Sequence, residues 1–128
     1  MRYMMLIYSH EDDAAQPAST GEDRRAVATA HSALMEEARN RGIFRGADPL
    51  EPSATATTVR VQNARPVITD GPFAETKEQL AGYYILECQD LDEALAWAAR
   101  ISNACAGGAG CVEVRPIREF PPQVPVNG

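Results

Sequence analysis

The chain has few cysteines, and their arrangement excludes two kinds of stabilising site. Three occur in 128 residues, Cys88, Cys105 and Cys111, and none forms a CxxC spacing with another. An odd number of cysteines without paired spacing argues against both a disulfide framework and a zinc site. We therefore expect small buried thiols in a protein that works in a reducing compartment.

The sequence also lacks a long apolar run. No stretch approaches the roughly 18 apolar residues that a membrane-spanning helix needs. The first residues, MRYMMLIYSHEDD, contain a short apolar segment with one basic residue and no small-residue cleavage site after it. They are interpreted as the first strand of a cytoplasmic protein, and no membrane partner is expected.

Basic residues are too few to favour a nucleic-acid partner. The 12 Lys and Arg are outnumbered by 18 Asp and Glu, and the formal net charge is −6. Phosphate binding needs a basic stripe, and none is visible. No G-x-S-x-G, HExxH or Walker motif occurs, so neither a metal nor a cofactor is expected.

Length and composition indicate one ordinary globular domain. Hydrophobic residues make up 45% of the chain and charged residues 23%, as in typical soluble domains. A chain of 128 residues is long enough to bury a core without disulfide staples. We expect a single domain over residues 1–120, followed by an extended tail over 121–128, where prolines recur.

Hydrophobic periodicity predicts two helices and six strands. The helices cover residues 21–41, closed by Gly42, and 91–105, opened by Asp90. The predicted strands share alternating or β-branched apolar residues: 2–9, 43–47, 55–62, 67–69, 82–88 and 111–120. This order predicts an α+β, ferredoxin-like antiparallel sheet with two helices on one face.

Two of the predicted strands are apolar on both sides. In residues 2–9, Met5 would point to one face and Leu6 to the other, and residues 82–88 show the same property. Two helices can cover only one face of a sheet. A bare second face would be a larger apolar patch than monomers usually expose, so we expect a homodimer with sheet packed against sheet.

A polar stretch interrupts the apolar pattern before the fifth predicted strand. Residues 69–84 read TDGPFAETKEQLAGYY, in which Asp70, Gly71 and Pro72 have turn chemistry. The charged residues continue beyond what a turn requires. The stretch is therefore either a long hairpin connection with a charged surface or a loop that presents groups to a ligand.

Several segments together resemble a known family. They are RPVITDGPFAETKEQLAGYYILE (65–87), LDEALAWAARI (91–101) and VEVRPI (112–117). These resemble the DGPF group of YCII-related proteins in the YciI-like superfamily, with likeness from Met1 to Ile117. The resemblance implies a dimeric, ferredoxin-like α/β-barrel. Most members are small, uncharacterised bacterial proteins.

The same resemblance implies a candidate pair of catalytic residues. In the wider YciI-like group a histidine on the first helix and an aspartate are taken as an acid/base dyad. The histidine position, eleven residues before the helix-stop glycine, corresponds here to His31, although Ser32 follows it where the group has leucine. The aspartate corresponds most naturally to Asp70.

The residues themselves support this interpretation and also permit a plainer one. His31 lies on a helical stripe where apolar residues such as Leu34 are expected, and its ordinary pKa of about 6.5 lets it exchange protons near neutrality. A neighbouring carboxylate would fix its tautomer. The alternatives are a half-buried histidine bonded to backbone and a turn-stabilising role for Asp70.

Five further residues are candidates for binding a substrate: Arg60, Phe73, Glu75, Lys77 and Tyr83. Arg60 could hold an anion, and the two charged loop residues could hold a polar group. Each also has a structural alternative. Charged side chains are usually only solvated, strand tyrosines usually belong to the core, and Phe73 could anchor its loop on the core or on a partner subunit.

Two functions are consistent with these residues. The first is a cofactor-independent acid/base enzyme of lyase or isomerase type, in which His31 moves a proton of a small polar molecule and Asp70 orients the imidazole. The alternative is a non-catalytic homodimer that binds a ligand or regulates another process. A small-molecule ligand is expected in either case, because fold alone does not decide function.

Overall fold

A computed structural model describes residues 1–11, 21–105 and 110–120. Within these residues lie two α-helices, six strands and a short 3₁₀ turn. They are β1 (Arg2–His10), α1 (Gly21–Asn40), β2 (Phe44–Pro49), the turn (Ser53–Thr55), β3 (Thr57–Gln62), β4 (Arg65–Asp70), β5 (Glu78–Glu87), α2 (Leu91–Ala104) and β6 (Cys111–Pro116). The tail predicted over 121–128 lies outside the described residues.

Four strands form one antiparallel sheet in the order β2-β5-β1-β6. This is the strand order of a ferredoxin-like sheet, in which two β-α-β units interlock and the first and third strands of the pattern are central. The hairpin of β3 and β4 is inserted between the second and third of these strands as a separate two-stranded sheet. The predicted α+β class, with antiparallel sheets and two helices, is confirmed.

Both helices pack on the same face of the sheet. Met5 of β1 and Leu86 of β5 are fully buried in one apolar cluster that also contains Leu34 of α1 and Ile101 of α2. Completely burying one such side chain contributes about 1.5–3 kcal/mol. This shared core fixes the position of α1 and α2 over the central strands.

Helix ends follow local sequence signals. Gly42, with φ of 72°, lies just past α1, and the amides of Gly42 and Ile43 donate to the carbonyls of Arg39 and Ala38 at 2.9 and 3.0 Å. This is the Schellman arrangement that a glycine stop permits. Neither described helix is both long enough and apolar enough to cross a membrane.

The start of α2 is capped by a carboxylate. The Glu93 amide donates to Asp90 Oδ1 at 2.9 Å, and the Glu93 carboxylate accepts from the Gln89 amide at 3.2 Å. These bonds satisfy amides that have no partner inside the helix. The predicted opening of the helix at Asp90 is thus confirmed.

The second face of the sheet, here called the outer face, has an apolar centre and polar margins. Leu6 and Ile85 belong to it and are partly exposed, since burial alternates along β1 and β5. On the neighbouring strands, Glu113 lies opposite Leu6 and Asp48 lies opposite Tyr83. The expectation that both central strands are apolar on two sides is confirmed. Pairing with a second copy stays a prediction.

The hairpin departs from the sequence prediction in its surroundings. Its two strands were expected, although β4 is longer than the predicted 67–69, but they pair only with each other and not with the main sheet. Asn63 and Ala64 form the two-residue tip with φ of 50° and 62°. Positive φ at both positions matches the twist of a tight hairpin and is unusual for alanine.

Strand β5 begins four residues earlier than predicted. Glu78 pairs with His10 and Gln79 with Ser9 at the end of β1. This pairing compensates for the low strand propensity of the polar residues, because propensity yields to a neighbouring strand that offers hydrogen bonds. The polar stretch between the hairpin and β5 therefore shortens to residues 71–77.

We expect the inner face to dominate stability. Replacing fully buried Leu86 by alanine should lower the free energy of unfolding by about 2–5 kcal/mol, because it removes apolar contacts and leaves a cavity. Leu95→Ala on α2 is the matched control, since Leu95 is 47% exposed, and should cost less than about 1 kcal/mol. Urea titration of both variants measures the difference, and equal losses would contradict this assignment of the core.

Candidate functional site

His31 lies in the middle of α1 on the side that faces β5. Its side chain is half-buried, and its Nδ1 is 2.5 Å from the hydroxyl oxygen of Tyr84. The two rings are tilted, with centroids 5.8 Å apart. Tyr84 is only 4% exposed. The helix and the central strand thus bring an imidazole and a phenol into hydrogen-bond contact beneath α1.

A third group completes a connected set. Cys105, directly after α2, places its Sγ 3.9 Å from His31 Nε2 and 3.4 Å from the backbone oxygen of Ile101. The helices are aligned at the surface by Arg100, whose guanidinium donates twice to the Glu37 carboxylate at 2.7 and 2.8 Å. We call His31, Tyr84 and Cys105 the His31 cluster.

The hydrogen-bond directions within the His31 cluster can be assigned together. The thiol of Cys105 donates to Ile101 O, so the sulfur accepts from Nε2–H. His31 then carries its proton on Nε2, and Nδ1 accepts from the Tyr84 hydroxyl. This assignment satisfies every polar atom in the set, which is the usual basis for choosing a histidine tautomer.

Burial keeps all three side chains uncharged near neutral pH. Loss of water contact lowers the pKa of His31 below 6.5, because desolvation disfavours the imidazolium form. Burial raises the pKa of Tyr84 to about 12 and also raises the pKa of the Cys105 thiol. The cluster therefore offers a neutral base beside a phenol that retains its proton.

A neutral imidazole beside a protonated phenol suits proton transfer. His31 can accept a proton at neutral pH, because its pKa is depressed and not raised by a neighbouring charge. Tyr84 can donate a hydrogen bond to an oxygen that gains negative charge. This pairing of a base with a hydrogen-bond donor is what removal of a proton next to a carbonyl requires.

Asp70 lies away from these contacts. It is the last residue of β4, it is exposed, and it pairs in register with Thr57. Among the described residues, the side-chain partners of His31 are Tyr84 and Cys105, and Asp70 is not one of them. The dyad of His31 and Asp70 remains a prediction.

A backbone hydrogen bond takes the place of the turn-stabilising bond that was expected of the Asp70 side chain. The amide of Gly71, which follows it, donates to the backbone oxygen of Ala56 at 2.7 Å, and Pro72 has no amide hydrogen. The backbone oxygen of Ala56, just before β3, thus takes the bond that the Asp70 side chain was expected to accept. Gly71 has φ of 95°, a conformation that favours glycine.

The other loop candidates are at the surface. Glu75 and Lys77 are exposed, and Arg60 is exposed on β3. Phe73 is 79% exposed, so the expectation that it anchors the loop on this chain's own core is wrong. Contact with a partner subunit, the other expectation for Phe73, stays a prediction.

Tyr83 and Tyr84 lie on opposite faces of the sheet. Tyr83 is on the outer face and donates to Asp48 Oδ2 at 2.6 Å, whereas Tyr84 faces α1 and donates to His31. The sequence led us to choose Tyr83 rather than Tyr84 as the substrate-binding tyrosine, and to expect Cys105 only as a small buried thiol. The signal in the sequence was the alternation of side chains along a strand, since Tyr84 lies two residues before Leu86 and so shares its side with that buried residue.

A cleft of about 410 Å³ occurs elsewhere and does not include His31. Its lining includes Arg41 and Trp97, together with residues where β5 leads into α2. Arg41 already pairs with Glu37 at 3.0 Å. The cleft and the connected proton-carrying groups of the His31 cluster are therefore separate parts of the described structure.

No group of three or more histidine, cysteine, aspartate or glutamate side chains in the described residues is placed to hold a metal ion. Cys105 Sγ and His31 Nε2 are two possible ligand atoms 3.9 Å apart. A zinc site would need more ligands than these two.

Comparison with known proteins finds similarity to a curated bacterial protein and to a solved enzyme structure. An uncharacterised protein of Rhizobium meliloti (strain 1021) is 37% identical over 122 residues, covering 95% of this chain and 96% of that protein. The 5-chloro-2-hydroxyhydroquinone dehydrochlorinase TftG of Burkholderia phenoliruptrix AC1100, solved with 2,5-dihydroxybenzoquinone, has a similar fold. The TM-score is 0.51 at 14% identity, over 94% of this chain and 96% of that one.

The family assignment rests on nearly the whole sequence. A model of the YCII-related domain matches residues 1–121, which include both helices and all six strands of the described residues. The resemblance to YCII-related proteins is therefore confirmed. This chain belongs to the family of YCII-related domain proteins.

Proposed function

We propose that this protein is an acid/base enzyme of lyase or isomerase type that acts on a small polar molecule without a cofactor. The observation that carries the proposal is the contact of 2.5 Å between His31 Nδ1 and the Tyr84 hydroxyl. It joins a half-buried imidazole whose pKa is lowered by burial to a phenol that remains protonated. This pairing supports proton abstraction at neutral pH.

The proposed reaction begins with a carbon acid next to a carbonyl group. The substrate enters beside the partly exposed ring of His31 and displaces the Tyr84 hydroxyl from Nδ1. Its proton passes from carbon to Nδ1, and the electron pair of the broken bond moves onto the carbonyl oxygen. The Tyr84 hydroxyl then donates to that oxygen. Return of the proton from His31 to another carbon gives isomerisation. In elimination, the electron pair returns from the oxygen to form a carbon–carbon double bond, the leaving group departs from the next carbon with its bonding pair, and His31 gives its proton to the leaving group or to water.

Cys105 has a positioning role in this proposal. Its sulfur accepts from Nε2–H and so keeps the basic nitrogen Nδ1 directed at Tyr84. Its raised pKa disfavours a thiolate, and the thiolate is the form in which a cysteine acts as a nucleophile. Asp70 is retained as a proposed ligand contact, because its exposed carboxylate lies where the hairpin meets the loop of residues 71–77.

The structural neighbour supplies a guide to substrate class. TftG is a dehydrochlorinase that was solved with 2,5-dihydroxybenzoquinone, which combines hydroxyl and carbonyl groups on a ring. A proton next to a carbonyl is the chemistry that His31 and Tyr84 would handle. Hydroxylated quinones and cyclic ketones are therefore the first compounds to test on this chain.

We also propose that the protein works as a homodimer in which the outer faces of two sheets pack together. The described residues cover the apolar centre of that face, around Leu6 and Ile85, only partly. Burying it against a second copy would remove apolar area from water without a third layer of helices. The dimeric barrel expected from the family resemblance is this same arrangement.

A binding screen should identify the ligand class. A ligand held by the His31 cluster at 100 times its Kd should raise the Tm of the wild type by roughly 10 °C. His31→Asn should abolish that shift, and Tyr84→Phe should reduce it. Tyr3→Phe is the control, since Tyr3 is buried on β1 and lies outside the cluster. A shift that persists in His31→Asn would place the ligand elsewhere.

Turnover of the same ligand decides between the two functions. His31→Asn should lower kcat by about 10²–10⁴-fold if the imidazole is the base, and His10→Asn, which alters the chain's other histidine, should not change it. Binding without conversion of any ligand in the screen would instead support the regulatory homodimer.

Stability should depend on pH through His31. Its pKa is lowered in the folded chain and is about 6.5 in the unfolded chain. As the pH falls through 6.5 the unfolded chain binds the proton first, so the free energy of unfolding should decrease until the pH lies below the folded pKa. His31→Asn should lose less stability between pH 7.5 and 5 than the wild type does. Urea titrations at the two pH values measure this loss, and His10→Asn serves as control. An equal loss of stability in the wild type and in His31→Asn would contradict a buried neutral imidazole.

A further inference from the structure

The hairpin of β3 and β4 is a projecting and largely uncovered part of the described chain. All six residues of β4 and five of the six in β3 are exposed. Val61 is 72% exposed and Ile68 is 67% exposed. A two-stranded ribbon is marginally stable at best in water, and an exposed apolar strand invites pairing with another chain.

Register divides the hairpin into two unlike faces. Val59 lies directly opposite Ile68, and Val61 lies opposite Pro66. Directly opposite residues of an antiparallel pair project to the same side, and the side alternates along each strand. We call these four residues the apolar hairpin face.

The reverse side of the hairpin is mainly polar. It carries Arg60 and Gln62 on β3 and Arg65 and Thr69 on β4, with Val67 among them. These polar side chains are suited to water. The need for cover is therefore confined to the apolar hairpin face, which fixes the side from which a partner would approach.

Hydrogen bonds fix the root of the hairpin, where its two strands leave the rest of the chain, and we call the hairpin the arm. Gly71 N donates to Ala56 O at 2.7 Å, and Thr58 Oγ1 donates to Gly71 O at 2.8 Å. The Ser53 amide, in the turn before β3, donates to the Glu11 carboxylate at 2.9 Å. Exposed Phe73 follows directly after this root.

The hairpin alone is too small to form a stable interface. Six residues per strand span about 20 Å and two strands about 10 Å, so the ribbon presents roughly 200 Å². A stable interface buries about 800 Å² on each partner. A partner that touched the hairpin alone would fall well short, and a second apolar surface must be included.

The outer face of the same chain can supply the missing area. Four strands span about 20 Å across and 20–30 Å along, or roughly 400–600 Å². Its centre at Leu6 and Ile85 is apolar and partly exposed. Together with the ribbon it approaches the area of a stable interface, and one chain carries both parts.

We propose that the apolar hairpin face docks on a second copy of this chain, with each hairpin reaching over the edge of the partner's sheet. In a two-fold symmetric dimer each copy then buries its own hairpin against the partner's sheet and its own outer face against the partner's outer face. This inference rests on the proposed pairing of outer faces and adds the hairpin as the element that completes the interface. It also gives Phe73, beside the root, a place at the border of that interface.

The test compares neighbouring positions on opposite faces of the arm. Val61→Asp places a carboxylate on the apolar hairpin face, and Gln62→Asp places one on the reverse side at a position that is also exposed. Sedimentation velocity over a concentration series should give the wild type twice the chain mass of 13.9 kDa. Val61→Asp should raise the dimer dissociation constant at least tenfold, and Gln62→Asp should leave it within about twofold of the wild type.

A second pair on β4 guards against a local folding defect. Ile68→Asp should weaken the dimer, and Thr69→Asp should not, since these residues lie on opposite faces. Circular dichroism should show wild-type helix content in all four variants. Weakening by both members of either pair would overturn the proposal.

The possible failures are distinguishable. A dimeric wild type whose dissociation constant is unchanged by Val61→Asp and Ile68→Asp would overturn the docking of the arm and leave the pairing of outer faces standing. A wild type that sediments at 13.9 kDa at every concentration would overturn both. Neither result bears on the His31 cluster, which lies on the inner side of the sheet.

Discussion

Side-chain alternation along β1 and β5 is the constraint on which the rest of the molecule depends. Met5 and Leu86 must face the two helices, because the fully buried core is built there. Every inward residue commits its neighbour to the outer face, and a slip of one residue would reverse all of them. Leu6 and Ile85 are also apolar, and the described residues leave them partly exposed because both helices pack on the inner face. The same rule that makes the core therefore creates the surface proposed for pairing.

The alternation also decides which chemistry lies under α1. In the sequence Tyr83 and Tyr84 are adjacent and look equivalent, but only Tyr84 shares the side of Leu86 and reaches His31. A histidine at a position that would ordinarily be apolar is costly when charged, so burial lowers its pKa. The hydroxyl of Tyr84 compensates by bonding the neutral ring. The neutral state of His31 is thus a product of packing, and its lowered pKa comes from burial.

Much of the fold could be predicted from local sequence. Helical periodicity gave α1 and α2, and Asp90 opened α2 as its capping spacing suggests. Features set by distant contacts could not be predicted. The detachment of the hairpin depends on which strands pair, and Cys105 meets His31 only because two helices pack side by side. Position on the stripe identified His31 as unusual, whereas its partners lie 53 and 74 residues away in sequence.

The segment DGPFAETKE, residues 70–78, connects the hairpin to β5. By register, Asp70 shares its side of the hairpin with Val59 and Ile68, so it belongs to the face that a second copy would cover. Residues 71–77 then lead directly into β5, the strand that carries Tyr84 to His31. Because this connection is short, docking of the hairpin on a second copy would also restrain the start of β5. Pairing of two copies would therefore fix the surroundings of Asp70, whereas Tyr84 and His31 are held by the core on the inner side of the sheet.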